Sequence, residues 1–135
     1  MRKLLNVIFL SLCVSMLISA CSDDDSRLTG KWQLRQYIFE DGEIQKVDSV
    51  FFNFQKGSFL AICVPEEGVY VQFHGNYTMK GKELNISLLP DNAVGNVYDH
   101  FIGWPHAART FGMEELSSSS MRLNHKDTVS VFRKY

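Results

Sequence analysis

The apolar residues of this chain follow two kinds of pattern. The first is an almost continuous apolar run from Leu4 to Ile18. The second begins at Lys31, where short segments of alternating apolar and polar residues are separated by glycine, proline and acidic turn residues. Alternation with a period of two predicts half-buried β-strands. The predicted strands are residues 31–39, 50–55, 58–64, 69–79, a segment marked by Leu84, Ile86 and Leu88, and residues 109–117, 120–125 and 128–135.

Two features interrupt this series of predicted strands. Apolar residues from Val94 to Ile102 recur at helical spacing, and Gly103 and Pro105 follow as a stop signal. This spacing predicts one short helix over residues 92–102. Gly75 lies in the middle of the fourth strand and predicts a bulge or a sharp bend there.

The number of strands favours a closed sheet. An open sheet of this length would expose aggregation-prone edge strands, whereas closing eight antiparallel strands removes those edges. A barrel of eight strands has an interior wide enough for side chains or for one small ligand. We therefore expect an all-β fold, an eight-stranded antiparallel up-and-down barrel with one short helix.

The amino-terminal run has the properties of a secretory signal. Basic residues precede it and Ser19-Ala20-Cys21 follows it, which is the order of a signal peptide. Its 15 residues are fewer than the roughly 17 to 25 that span a bilayer. Residues 17–21 resemble the lipobox of bacterial lipoproteins, and this resemblance implies that residues 1–20 are removed and that Cys21 carries lipid. Acyl chains on Cys21 would anchor the chain to a membrane.

Residues 21–27 form a short acidic segment between this anchor and the barrel domain, residues 28–135. It has no core-forming residue, which predicts a disordered tether. It also resembles the serine-plus-acidic export signal of Gram-negative surface lipoproteins, and this implies exposure on the outer face of the outer membrane. A plain solvated linker is the alternative. The export-signal residues are Ser22, Asp23, Asp24 and Asp25.

Charge and cysteine content narrow the range of partners. Loss of Arg2 and Lys3 with the signal lowers the formal net charge from −1 to −3. The basic residues of the domain are scattered, and apart from Arg133 and Lys134 they stand singly. Nucleic-acid binding usually requires a concentrated basic face, so no nucleic-acid partner is expected. Loss of Cys13 with the signal and lipidation of Cys21 would leave Cys63 without an intramolecular disulfide partner, as a small buried hydrophobe.

Two short motifs at the ends of the domain resemble those of lipocalins. Residues 28–34 contain a glycine, any residue, tryptophan motif at Gly30 and Trp32, and Phe132-Arg133-Lys134 resembles the arginine segment of the final lipocalin strand. The chain thus resembles small lipocalin-like (calycin-type) outer-membrane lipoproteins of bacteria. This resemblance implies that Arg133 packs over Trp32 at the closed end of the barrel, through a cation–π contact.

The sequence has no recognisable catalytic or metal motif. It lacks a G-x-S-x-G nucleophile elbow, and the adjacent pairs Glu66-Glu67 and Glu114-Glu115 would point to opposite faces of a strand. The four histidines lack the spacing of a metal-binding pair with a third ligand nearby. We therefore predict a protein that is not an enzyme and has no cofactor.

Two functions fit the apolar inner faces. The barrel binds a small apolar molecule or lipid, with the segment from Val94 to Trp104 as a lid over the cavity. Alternatively, the barrel is filled, the helix is a plug, and the protein is a structural or protein-interaction subunit of the envelope with a protein partner. The predicted ligand-lining residues are Phe52, Phe54, Leu60, Ile62, Phe73, Tyr77, Phe101 and Trp104.

Overall fold

The computed structural model describes residues 25–65, 68, 70–89 and 97–135. These residues form nine β-strands, one short α-helix and a helical turn at residues 25–28. The strands are β1 (Gly30–Ile38), β2 (Ile44–Lys46), β3 (Val50–Gln55), β4 (Ser58–Cys63), β5 (Val71–Lys80), β6 (Glu83–Leu88), β7 (Ala108–Leu116), β8 (Ser120–His125) and β9 (Thr128–Lys134), and the helix is α1 (Val97–Ile102).

The strands form a closed antiparallel barrel. From β3 to β9 each strand pairs with the next along the chain, and β1 pairs with both β3 and β9. The eight-stranded up-and-down barrel expected from the sequence is therefore confirmed. The additional strand β2 pairs only with the second half of β1. It was missed because its three residues are all exposed and carry no alternating pattern.

The β3–β4 hairpin determines which residues of β4 face the barrel interior. Gln55 pairs with Ser58 across a two-residue turn, and Phe54 pairs with Phe59. Directly paired residues lie on the same face of a sheet, so Phe59 is inside with Phe54. The prediction that Leu60 and Ile62 line the interior is wrong, because both occupy the opposite, outer face and are only partly buried.

A bulge in β1 changes the direction of its later side chains. Trp32 and Leu34 are buried on the inner face, and the pairing of β1 with β9 shifts by one residue between Leu34 and Gln36. An extra residue in one strand exchanges its two faces from that point onward. Tyr37 therefore faces the interior, where continued alternation would have placed Gln36.

Gly75 lies in a regular part of the barrel. Its pairings with Phe59 in β4 and Leu88 in β6 continue both ladders without a register shift. The predicted bulge at Gly75 is therefore wrong. The position instead allows close packing, because a Cβ atom here would lie 2.3 Å from the carbonyl oxygen of Ser87.

The predicted helix is confirmed at its end. α1 ends at Ile102, as the stop signal indicated, and the expected start at residue 92 lies outside the described residues. Buried aromatic side chains fill much of the barrel beneath α1. Phe52 is central among them, with ring centroids 5.0 Å from Phe59 and 4.9 Å from Phe132. Within the described part of the chain, no helix has the length and hydropathy needed to cross a bilayer.

Candidate functional site

One end of the barrel is closed by the fully buried side chain of Trp32. Its indole nitrogen donates a hydrogen bond to the carbonyl oxygen of Leu28 at 2.8 Å, and the Nζ atom of Lys134 lies 4.4 Å from the ring centroid. The expected pairing of Trp32 with Arg133 is wrong. Lys134 is the direct strand partner of Trp32 and shares its face, whereas Arg133 is exposed on the other face of β9.

The helical turn at residues 25–28 packs against this closed end. The Lys134 ammonium donates hydrogen bonds to the carbonyl oxygens of Arg27 and Thr29, and the Tyr77 hydroxyl donates to a carboxylate oxygen of Asp25 at 3.0 Å. The ordered domain thus begins at least as early as residue 25, although the sequence predicted a disordered tether to residue 27. The predicted signal peptide and the predicted lipidation and export residues Cys21, Ser22, Asp23 and Asp24 lie outside the described residues.

The other end of the barrel contains a cavity of about 650 Å³. Its walls come from the end of β1, β2, the starts of β3, β7 and β9, and α1 with the loop that follows it. The lining residues are Leu34, Tyr37, Phe39, Gln45, Val47, Ser49, Val50, Phe52, Asp99, His100, Phe101, Ile102, Gly103, Trp104, Pro105, Arg109, Phe111, His125, Lys126, Thr128, Ser130 and Phe132.

The structure divides the predicted ligand-lining residues into three groups. Phe52, Phe101 and Trp104 line the cavity. Phe54, Phe73 and Tyr77 are buried in the core but do not line it, and Leu60 and Ile62 lie on the outer face of β4. Phe54 and Tyr77 pack edge to face, with ring centroids 5.1 Å apart, in the filled half of the barrel near Trp32.

The helix and the loop after it cover part of the cavity. Phe73 of β5 contacts the rings of Tyr98 and Phe101 on α1, with centroids 5.2 and 6.1 Å away. Trp104 follows the helix and is almost fully buried against Phe52. α1 therefore packs on the barrel wall and lines the cavity at the same time, so it combines properties of the predicted plug and the predicted lid.

Arg109 is a charged residue of the cavity lining that contacts two aromatic rings. It precedes Phe111 by two positions on β7 and shares its inner face. Its Cζ atom lies 5.0 Å from the Trp104 ring centroid and 5.9 Å from that of Phe111. One guanidinium nitrogen donates to the carbonyl oxygen of Gly103 at 3.3 Å. Burial lowers the pKa of Arg109, while Tyr37 and Asp99 act in the opposite direction.

Tyr37 also presents a polar group to the cavity from the barrel wall. Burial raises the pKa of its hydroxyl, partly offset by the positive charge of Arg109. Sequence analysis identified neither residue as part of the site. The alternation of Arg109, Phe111 and Met113 was a readable signal for Arg109, whereas no signal marked the bulge that turns Tyr37 inward.

The remaining groups considered are the Cys63 thiol, as a nucleophile, and the side chains that could bind a metal ion. Cys63 is buried, its thiol lies 3.9 Å from the carbonyl oxygen of Phe101, and burial raises its pKa to about 11. A thiol with this pKa is a poor nucleophile at neutral pH. Among the described residues, no group of three or more histidine, cysteine or carboxylate side chains could hold a metal ion.

Comparisons with known proteins agree with the barrel geometry. The profile of a family described as a lipocalin-like domain matches residues 16–135. No curated protein matches the chain.

Two solved structures are similar over most of this chain. A lipocalin-like protein from Bacteroides uniformis ATCC 8492 is 53% identical, with a TM-score of 0.75, and the match covers 81% of this chain and 99% of that one. An uncharacterized protein from Bacteroides eggerthii DSM 20697 is 48% identical, with a TM-score of 0.71, and the match covers 80% and 99% of the two chains.

Proposed function

Because the chain belongs to the family of lipocalin-like domains, we propose that it is a non-enzymatic envelope protein that binds a small apolar molecule or lipid in its barrel. Barrels of this family typically bind small hydrophobic ligands, and the fold is generally a binding fold.

The observation that carries this proposal is the cavity at the open end of the barrel. Ligand pockets usually measure about 300 to 1,000 Å³ and combine an apolar lining with a few polar groups. This cavity has a volume of about 650 Å³ and aromatic walls that include Phe52, Trp104 and Phe132. The alternative of a filled barrel is supported by the near-complete burial of the aromatic side chains, Phe52, Trp104 and Phe132 included.

The lipid anchor gives the proposed binding protein an orientation. Only three residues separate Cys21 from Asp25, and an extended chain spans at most about 3.6 Å per residue. The closed end would then lie within about 14 Å of the anchoring lipid. The cavity would face away from the membrane, so its ligand would enter from the surrounding medium or from a partner rather than directly from the anchoring bilayer.

The place of the protein in the cell is tested separately from ligand binding. Radioactive palmitate should label the wild type but not a Cys21→Ser variant, because the proposed attachment site is the Cys21 thiol. Protease added to intact cells should degrade the protein if it is on the outer face of the outer membrane. Full protection, with degradation after lysis, would contradict surface exposure while leaving lipid attachment in place.

Native mass spectrometry tests the binding function. The mature chain with Cys21→Ser, which contains all of the described barrel, is purified from a lipid-containing extract and its native and denatured masses are compared. We expect a non-covalent adduct that is lost on denaturation.

A pair of variants on β9 provides the control. Ser130→Trp fills the cavity and should abolish the adduct, whereas Val131→Trp alters the outer face of the same strand and should retain it. Thermal melting shows whether both variants fold. If the Cys21→Ser chain with an otherwise unchanged sequence shows only the mass of the protein without an adduct, the proposal is contradicted and the filled-barrel alternative is favoured.

A further inference from the structure

The guanidinium of Arg109 has hydrogen-bonding capacity that the described chain does not use. A guanidinium has five N–H donors, and the only hydrogen bond it makes to a described residue goes to the Gly103 carbonyl oxygen. No carboxylate among the described residues forms an ion pair with it. Trp104 and Phe111 hold its planar group at the cavity wall. Arg109 is therefore a cation of the cavity lining with hydrogen-bond donors that no described residue uses.

Tyr37, from β1, adds a hydroxyl to the lining of the same cavity. Its hydroxyl makes no hydrogen bond to any described residue, and its ring lines the cavity wall. The bulge in β1 is what directs this side chain inward. A bulge that re-aims one side chain into a cavity is typical of a binding or active site.

The charges around the cavity favour a negatively charged ligand group. Arg109 and Lys126 are cationic, and Asp99 is the only carboxylate among the lining residues. His100 and His125 also face the cavity, and a ring nitrogen of His125 lies 3.1 Å from the Thr110 carbonyl oxygen. Arg109, Lys126 and Asp99 together give the lining one net positive charge.

We infer that the cavity binds an amphiphile with a carboxylate head group, which the Arg109 guanidinium and the Tyr37 hydroxyl bind while the apolar tail packs on the aromatic wall. This inference rests on the proposed binding function and names the ligand class. A planar guanidinium fits a carboxylate through two parallel hydrogen bonds. The tail would contact the apolar lining residues that keep exposed surface, Phe39, Val47 and Phe101.

Calorimetric titration with three straight-chain amphiphiles of equal main-chain carbon number tests this inference. The delipidated mature chain with Cys21→Ser is titrated with laurate, 1-dodecanol and dodecyltrimethylammonium, whose head groups differ in charge and shape. We expect laurate to bind about tenfold or more tightly than dodecanol, because a hydrogen bond to a charged group contributes about that factor. Dodecyltrimethylammonium should bind more weakly than dodecanol.

Arginine variants identify the source of the preference. Arg109→Gln should remove the advantage of laurate and leave dodecanol affinity within about twofold, and Arg109→Lys should retain only part of it. Arg122→Gln is the matched control, because Arg122 pairs with Glu115 outside the cavity. If Arg109→Gln does not fold, the laurate and dodecanol affinities of the wild type still decide the question.

The outcomes separate this inference from the proposed function. Equal affinity for laurate and dodecanol, or a laurate affinity that Arg109→Gln leaves unchanged, would overturn the carboxylate assignment while the apolar binding function stands. If none of the three probes binds, both the assignment and the binding function are wrong.

Discussion

The Nζ atom of Lys134 lies 4.4 Å from the centroid of the Trp32 ring, at the end of the barrel opposite the cavity. The same ammonium group donates hydrogen bonds to the carbonyl oxygens of Arg27 and Thr29. One lysine therefore covers the closing tryptophan and joins it to the helical turn that precedes β1. The carboxyl-terminal strand thereby contributes directly to the position of the amino-terminal segment.

Replacement of this lysine should destabilise the domain. Lys134→Gln removes a cation–π contact and two charge-assisted hydrogen bonds, and we expect the free energy of unfolding in urea to fall by about 1 to 2 kcal/mol. Arg133→Gln is the control on the outer face and should change it by less than about 0.5 kcal/mol. A larger loss of unfolding free energy for Arg133→Gln than for Lys134→Gln would instead support the predicted contact between Arg133 and Trp32.

The two faces of β4 should respond very differently to truncation. Phe59→Ala removes a buried ring that contacts Phe52 and Phe54, and the expected loss in unfolding free energy is about 3 to 5 kcal/mol. Leu60→Ala removes a partly exposed side chain from the outer face, with an expected loss of about 1 kcal/mol or less. Urea denaturation of both variants measures the difference. Equal losses would mean that the register of β4 is shifted.

Sequence reasoning identified the barrel because strand alternation and turn residues are local signals. It failed at β4, where both faces are apolar and alternation alone cannot distinguish them. The Lys56-Gly57 turn contained the missing information, since both residues have positive φ, as in a two-residue hairpin turn that sets the register. Reading that turn as two residues long pairs Phe54 with Phe59 and places Leu60 outside.

The candidate site was less predictable than the fold. Phe52 was found because strand alternation placed it on an apolar inner face. Phe101 and Trp104 were found because the helix segment is more apolar than a connection requires. Arg109 was passed over as a strand terminus, although its spacing from Phe111 places both on one face. Tyr37 could not be found, because the bulge that turns it inward arises from pairing between β1 and β9, which are distant in sequence.

Cys63 should make stability depend on pH in the alkaline range. Burial raises the pKa of this thiol from 9.0 to about 11, so the folded state favours the protonated form. The folded protein then binds more protons than the unfolded chain between these values, and stability falls as pH rises. We expect the wild type to lose up to about 2 kcal/mol more than Cys63→Ala between pH 9 and 11. Parallel curves of unfolding free energy against pH for the two proteins would contradict this expectation.

Gly75 and Gly112 provide a matched pair of strand glycines for a test of barrel packing. A Cβ atom at Gly75 would lie 2.3 Å from the Ser87 carbonyl oxygen and 2.9 Å from the Leu88 Cα atom, whereas at Gly112 the nearest atom is 4.0 Å away. The obstructing atoms at Gly75 belong to the backbone of β6 and cannot move without disturbing its ladder.

Gly75→Ala should therefore lower the free energy of unfolding by at least about 2 kcal/mol. Gly112→Ala should change it by less than about 1 kcal/mol, and a small increase is reasonable because alanine restricts the unfolded chain more than glycine does. Urea denaturation with circular dichroism detection measures both. A tolerated Gly75→Ala would show that β5 and β6 approach each other less closely than described.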